Sequence, residues 1–171
     1  MRRVVDRVHD AWSLGKMIRW SFGGGEPTVN PDFLPLVEYI KGRGDYVMTV
    51  SNGSRGVEYY QRLARSVDCL QLSLHSEFWK PEQFRRNAEA ILDVFKKQAR
   101  GWLDIKIMCK PGFVKEAQVL MGEFNRMISH RESPGAPRLG SAVCVPIRDI
   151  NDGGELTPIY SPEELRLLLS L

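Results

Sequence analysis

Closely spaced cysteines are the first thing this 171-residue sequence lacks. Its three, Cys69, Cys109 and Cys144, are odd in number and far apart. That excludes a disulfide scaffold and points to a reducing compartment. No apolar run reaches the roughly 18 residues that a membrane span requires. The basic opening Met1-Arg2-Arg3-Val4-Val5-Asp6-Arg7 is soon broken by Asp6, His9 and Asp10, which excludes a signal peptide. The expectation is a cytoplasmic protein with no membrane contact. Net charge is only +3 and is spread along the chain. A nucleic-acid binder would concentrate its basic residues on one face, so no nucleic-acid partner is expected. Repeats and low-complexity tracts are also missing. What remains is an ordinary globular composition, 43% hydrophobic and 26% charged, long enough for one domain with a sizeable core.

The chain alternates helical and strand patterns, which argues for a parallel α/β fold. Val4, Val5, Val8, Ala11 and Trp12 share one face of an opening helix. Strands are expected at Met17–Phe22, Tyr46–Val50, Asp68–Leu74, Leu103–Met108 and Leu139–Pro146. Between them, Asn30-Pro31-Asp32 reads as a helix cap with proline at the first helical position. Further helices are expected at Val57–Arg65, from Pro81 through Phe95, and over Val114–Ile128, with a loop from Ser129 to Pro137. Ser161-Pro162-Glu163-Glu164 reads as a capping box opening a leucine-rich last helix. The first helix has no strand before it, and the last one stops among Leu165, Leu167, Leu168, Leu169 and Leu171. The expectation is one partial barrel domain over 1–171, incomplete at both ends. The alternative is a complete small domain whose apolar ends a partner covers.

Strand side chains alternate between faces. The helices are expected to pack on the apolar face. The other face would carry Arg19, Ser21, Thr49, Ser51, Gln71, Ser73, His75 and Lys106. A closed eightfold barrel fills its interior with branched apolar layers. A polar interior fits an open barrel holding a polar ligand, or a sheet with one solvated face.

The sharpest motif is Phe22-Gly23-Gly24-Gly25-Glu26-Pro27-Thr28, between a strand and a helix. The glycines allow a sharp turn and close approach of a ligand. A glycine loop before a helix also suits phosphate. Phosphate loops, however, usually carry Lys or Ser/Thr after the glycines. An acidic residue there prefers a cation such as an ammonium group.

Gly24-Gly25-Glu26-Pro27 resembles the motif that follows the second barrel strand of radical S-adenosylmethionine enzymes. Ser51-Asn52-Gly53 is similar to that family's polar-Asn-Gly turn, and Leu72-Ser73-Leu74-His75-Ser76 to its fourth strand. The resemblance implies a partial parallel β/α barrel of TIM-barrel-like type, lacking the first strand. It implies S-adenosylmethionine as cofactor, held by Gly24, Gly25, Glu26, Pro27, Ser51, Asn52, Ser73 and His75. The family often has an acidic residue near the place of His75. Lys106 and Arg148 are weaker candidates for substrate anions, and the loop Glu77-Phe78-Trp79-Lys80 for a substrate contact.

The family also holds a 4Fe-4S cluster on Cys-x3-Cys-x2-Cys after its first strand, and that trio is absent. Cys69, Cys109 and Cys144 read as buried small apolar residues, so no metal ligand is assigned. The resemblance implies a parent that receives an electron from a donor and cleaves S-adenosylmethionine reductively. The resulting radical takes hydrogen from a small-molecule or peptide substrate. The chain itself is expected to be inactive. The alternatives are a cluster-free domain that binds S-adenosylmethionine or another small polar ligand, and a barrel enzyme with a sugar-phosphate loop.

Overall fold

The alternation of patterns becomes a single five-stranded parallel sheet. A computed structural model describes residues 2–12, 15–77, 80–147 and 160–170. The order is α1 (Arg2–Trp12), β1 (Arg19–Phe22), a 3-10 turn (Pro27–Val29), α2 (Phe33–Gly42), β2 (Tyr46–Ser51) and α3 (Val57–Arg65). Then follow β3 (Cys69–His75), α4 (Pro81–Gln98), β4 (Trp102–Cys109), α5 (Val114–Arg131), β5 (Gly140–Pro146) and α6 (Pro162–Leu169). The strands lie in the order β1-β2-β3-β4-β5, and every pairing is parallel. The fold is therefore the partial β/α barrel type that the sequence implied.

The core lies between sheet and helices. Leu70, Leu72, Leu74, Leu103, Ile105 and Ile107 are fully buried on one face. They meet Ile40, Leu63, Ile91, Leu92 and Phe95 from the helices. Each such side chain contributes on the order of 1.5–3 kcal/mol on burial. Gly140 is required where β5 meets β4, because a Cβ there would lie 2.1 Å from the Leu103 carbonyl oxygen.

The expected division of faces holds for β1, β3 and β4 but fails for β2. Thr49 pairs in register with Leu70, and Ser51 with Leu72. Both therefore lie on the helix-packed face, where they are buried. Met48 and Val50, with Gln71 as the register partner of Val50, take the open face. The buried hydroxyls are tolerated because they are bonded. Thr49 Oγ1 donates to the Phe22 carbonyl at 3.4 Å, and Ser51 Oγ lies 2.6 Å from the Tyr60 hydroxyl.

The ends of elements also differ in places. Asn30 Oδ1 accepts the Asp32 N–H at 2.9 Å, forming a local turn, and α2 starts only at Phe33. Pro31 therefore lies ahead of the helix. Helix α5 continues to Arg131, into the segment expected to be loop. The capping box at Ser161 forms as expected, with Pro162 at the start of α6.

Helix α1 docks through Val5 and its polar side rather than through a whole valine face. Val5 is its buried residue, whereas Val4 and Trp12 are exposed. Asp6 Oδ1 accepts from Tyr39 at 2.5 Å and from Arg43 at 2.9 Å. His9 Nε2 lies 2.5 Å from Asp45 Oδ2. Asp45 also accepts from the Ile18 N–H and the Trp20 indole N–H. Burial alone would raise the Asp45 pKa, but the bonds from Trp20, Ile18 and His9 prevail and lower it. Beside it, Lys41 reaches both oxygens of Asp68, at 2.6 and 2.7 Å. This polar network fastens the N-terminal ends of the strands, the end away from the glycine loop.

Candidate functional site

The strand ends opposite that network open into a cleft of about 430 Å³. Gly25 and Glu26 line it after β1, Val50 to Ser54 at the end of β2, and Ser73 and His75 on β3. Lys80, Gln83 and Phe84 close it from the start of α4. Ligands of parallel sheets bind at this end of the strands.

The loop after β1 turns on two left-handed glycines, Gly24 at φ +75° and Gly25 at φ +47°. A side chain would be strained there, although open space surrounds both positions. Neither residue hydrogen-bonds to another described residue, so their peptide groups remain open to a ligand. Glu26, by contrast, is heavily engaged. Its Oε1 accepts from Thr28 N at 3.0 Å, Thr28 Oγ1 at 2.6 Å and Ser51 Oγ at 3.0 Å. Its Oε2 accepts from Asn52 N at 2.5 Å. The carboxylate thus ties the first loop to the second. Arg55 adds two more ties, from Nε to the Thr28 carbonyl at 2.9 Å and from its guanidinium to the Val29 carbonyl at 3.2 Å.

Helix α4 fixes the second loop from below. Asn87, fully buried, donates to the Gly53 carbonyl at 2.9 Å and the Arg55 carbonyl at 2.8 Å. Gln83 donates to the carbonyls of Ser54 and Arg55. Gly53 sits at φ +75°, and a Cβ there would meet the Phe84 ring at 2.9 Å. Behind the loops lies Tyr60, whose phenol is pushed up to about 12, by burial first and then by the nearby Glu26 charge.

The structure gathers six of the expected residues, Gly25, Glu26, Ser51, Asn52, Ser73 and His75, around one cleft. Gly24 and Pro27 shape the loop without lining it. Lys106 lies on the open face of β4, beside Ser73 in register, outside the cleft lining. No ion pair with Asp104 forms among the described residues. Arg148, Phe78 and Trp79 lie outside the described residues. Glu77 pairs with Lys110 at 3.2 Å. Lys80, expected as part of a substrate-contact loop, lines the cleft, whereas Gln83 and Phe84 were missed because their approach depends on how α4 packs. Pro81 at the start of α4 was the local signal that the helix begins beside the strand end.

The cleft carries charge of both signs. Glu26 stands on one wall. Lys80 stands on the other, at the positive N-terminal end of α4, with no ion pair among the described residues. A zwitterion suits such a cleft.

The cysteines do not suit a cluster. Cys69 pairs in register with Trp102 and lies on the open face. Cys109 and Cys144 lie on the helix-packed face, Cys144 beside Ile107. All three are free, and burial raises the Cys69 thiol pKa. Three thiolates cannot converge on one cluster from opposite faces of a sheet. No group of metal-ligating residues occurs among the described residues.

No family model matches the chain. Over 93 residues it is 37% identical to the probable GTP 3′,8-cyclase of Thermococcus kodakarensis, a stretch covering 49% of this chain and 29% of that protein. The chain therefore spans less than a third of that relative's length. A solved structure of TYW1 with a lysine-pyruvate adduct bound superposes with a TM-score of 0.49 at 16% identity. That match covers 97% of this chain and 54% of the other. A domain of a pyruvate-formate lyase-activating enzyme from Bacteroides vulgatus gives 0.46 at 18% identity, covering 88% and 92%. The stretch shared with the cyclase supports the resemblance to radical S-adenosylmethionine enzymes that the glycine–glutamate–proline loop carries.

Proposed function

We propose that the cleft binds S-adenosylmethionine, and that this chain does not itself carry out the radical chemistry of the family. The observation that carries the reading is the cleft's charge arrangement around an open glycine turn. The free peptide groups of Gly24 and Gly25, beside the Glu26 carboxylate, suit the methionyl ammonium. Lys80 and the start of α4 suit the methionyl carboxylate. Ser51, Asn52, Ser73 and His75 offer polar contacts to the rest of the molecule. Glu26 acts chiefly by holding its loop to Ser51 and Asn52, since four donors already occupy it.

The 4Fe-4S cluster supplies the electron that cleaves S-adenosylmethionine in this family. The cysteines of this chain do not fit it, so no radical step is derived. Cleavage and hydrogen abstraction are the expectation for a parent protein that carries the cysteine trio.

Isothermal titration of the purified chain with S-adenosylmethionine, free of iron, tests the reading. Saturable binding at one site is expected. Lys80→Glu should weaken it about tenfold, the loss of one charged contact. Absence of binding sinks the proposal. So does displacement by inorganic phosphate together with tighter phosphate binding by Glu26→Ala, which would identify a sugar-phosphate loop.

A further inference from the structure

A second hollow lies at the opposite, N-terminal end of the sheet. Its volume is about 220 Å³. It sits where the last turns of α4 and α5 meet the segments entering β4 and β5. Lys96, Arg100, Arg131 and Arg138 surround it, against Glu132 as the lining acid.

These cations are unevenly neutralised. Arg131 holds Asp93 at 2.9 Å. Arg138 stands 3.9 Å from Glu132, whose Oε1 already accepts the Leu139 N–H. Arg100 donates to the Arg65 carbonyl at 3.2 Å and stands 3.8 Å from Asp68, which Lys41 grips at 2.6 Å. Lys96 forms no ion pair among the described residues. Basic residues in the last turn of a helix ordinarily answer its negative end, and that accounts for Lys96 and Arg131. It does not account for Arg100 and Arg138, which lie beyond the helices on the two facing loops.

The hollow is also shaped by uncommon backbone. Ala99 is the one non-glycine residue at positive φ among those described, at 51°, a conformation that costs on the order of 1 kcal/mol for alanine. Gly101 follows at φ +105°, and a Cβ there would lie 2.3 Å from the Phe95 ring. The turn presses against α4, and Ala99, Gly101, Ala136, Pro137 and Leu139 line the hollow among the cations. A cationic lining interspersed with small apolar residues matches a compact anion with a modest organic body. Arginine pairs phosphate oxygens two at a time, and lysine adds a point charge.

We propose that this hollow binds a small phosphorylated molecule, its phosphate held by Lys96, Arg100 and Arg138. The site is independent of the cleft at the other end of the strands.

The test is a titration of the full, isotope-labelled chain with inorganic pyrophosphate at low salt, read by amide chemical shifts. Saturable shifts are expected at Ala99, Gly101 and Ala136, with Gly25 and Asn52 unmoved. Lys96→Glu combined with Arg138→Glu should weaken binding about tenfold or more. Both side chains are exposed, and an otherwise unchanged spectrum shows that the fold is kept. The proposal is overturned if those amides stay still up to about 10 mM pyrophosphate, a level weaker than specific recognition. It is equally overturned if the charge-reversed chain responds like the original. Tighter binding of a single-stranded RNA oligonucleotide, with shifts spreading over Arg65 and Lys97, would overturn the small-molecule assignment.

Discussion

Glu26 accepts four hydrogen bonds within its own protein, and that number limits what else it can do. The carboxylate reads in the sequence as a direct ligand for a cation. In the fold it first sets the shape of two loops. Its charge also reaches Tyr60, whose hydroxyl meets Ser51 at 2.6 Å. The folded Tyr60 pKa lies at about 12, above the ordinary value of 10.0. The sign follows from proton linkage. The folded state keeps a proton that the unfolded state releases, so the stabilisation is complete below pH 10 and is lost as pH rises toward 12. A shift of that size corresponds to roughly 2–3 kcal/mol. Urea unfolding at pH 9, 10 and 11 should therefore show a steeper loss of stability in the wild type than in Tyr60→Phe. Parallel pH profiles for the two proteins would disprove the assignment.

At the scale of elements, the clamp of α4 on the loop after β2 is what keeps the cleft open. Gly53→Ala should cost roughly 1–3 kcal/mol, from a left-handed backbone joined to a clash with Phe84. Asn87→Ala should cost a similar amount, because the Gly53 carbonyl loses a buried donor and the Arg55 carbonyl keeps only Gln83. Both variants should lower the urea midpoint, and both should weaken S-adenosylmethionine more than a remote substitution of equal stability cost. Equal binding in all three would mean that the clamp is purely structural.

The strands and helices themselves were legible, since period-2 and period-3.6 patterns alternate plainly from Trp20 to Phe124. The glycine loop and the Ser-Asn-Gly turn were legible because backbone conformation restricts the residue type. Strand β2 was not. Its sequence, Tyr-Val-Met-Thr-Val-Ser, gives neither face a clear apolar excess. A rule that sends polar side chains to the open face misplaces Thr49 and Ser51, whose hydroxyls find partners within the core. Helix α1 misled for the opposite reason. Its valines outnumber its useful contacts, and Asp6 and His9 fasten it through partners 33 or more residues away.

At the scale of the whole molecule, the sheet separates the thiols by face. Anaerobic treatment with iron and sulfide should accordingly leave the chain without a stable cluster, as read by iron content and the broad visible absorbance of 4Fe-4S centres. Close to four irons per chain would require Cys69, Cys109 and Cys144 to meet, and would contradict the strand register. The order of the strands has a wider consequence. Each strand bonds only to its neighbours in sequence, with no crossover stitching distant parts together. Cooperativity in such a ladder passes from unit to unit. Either edge can open while the middle stays closed, and amide exchange should be slowest along β3 and faster toward β1 and β5. The cleft, built on the first three strands, borrows its rigidity from the centre of the sheet. The phosphate hollow, built on the last two, lies nearer the opposite edge, so the two sites draw on different parts of the same stability gradient.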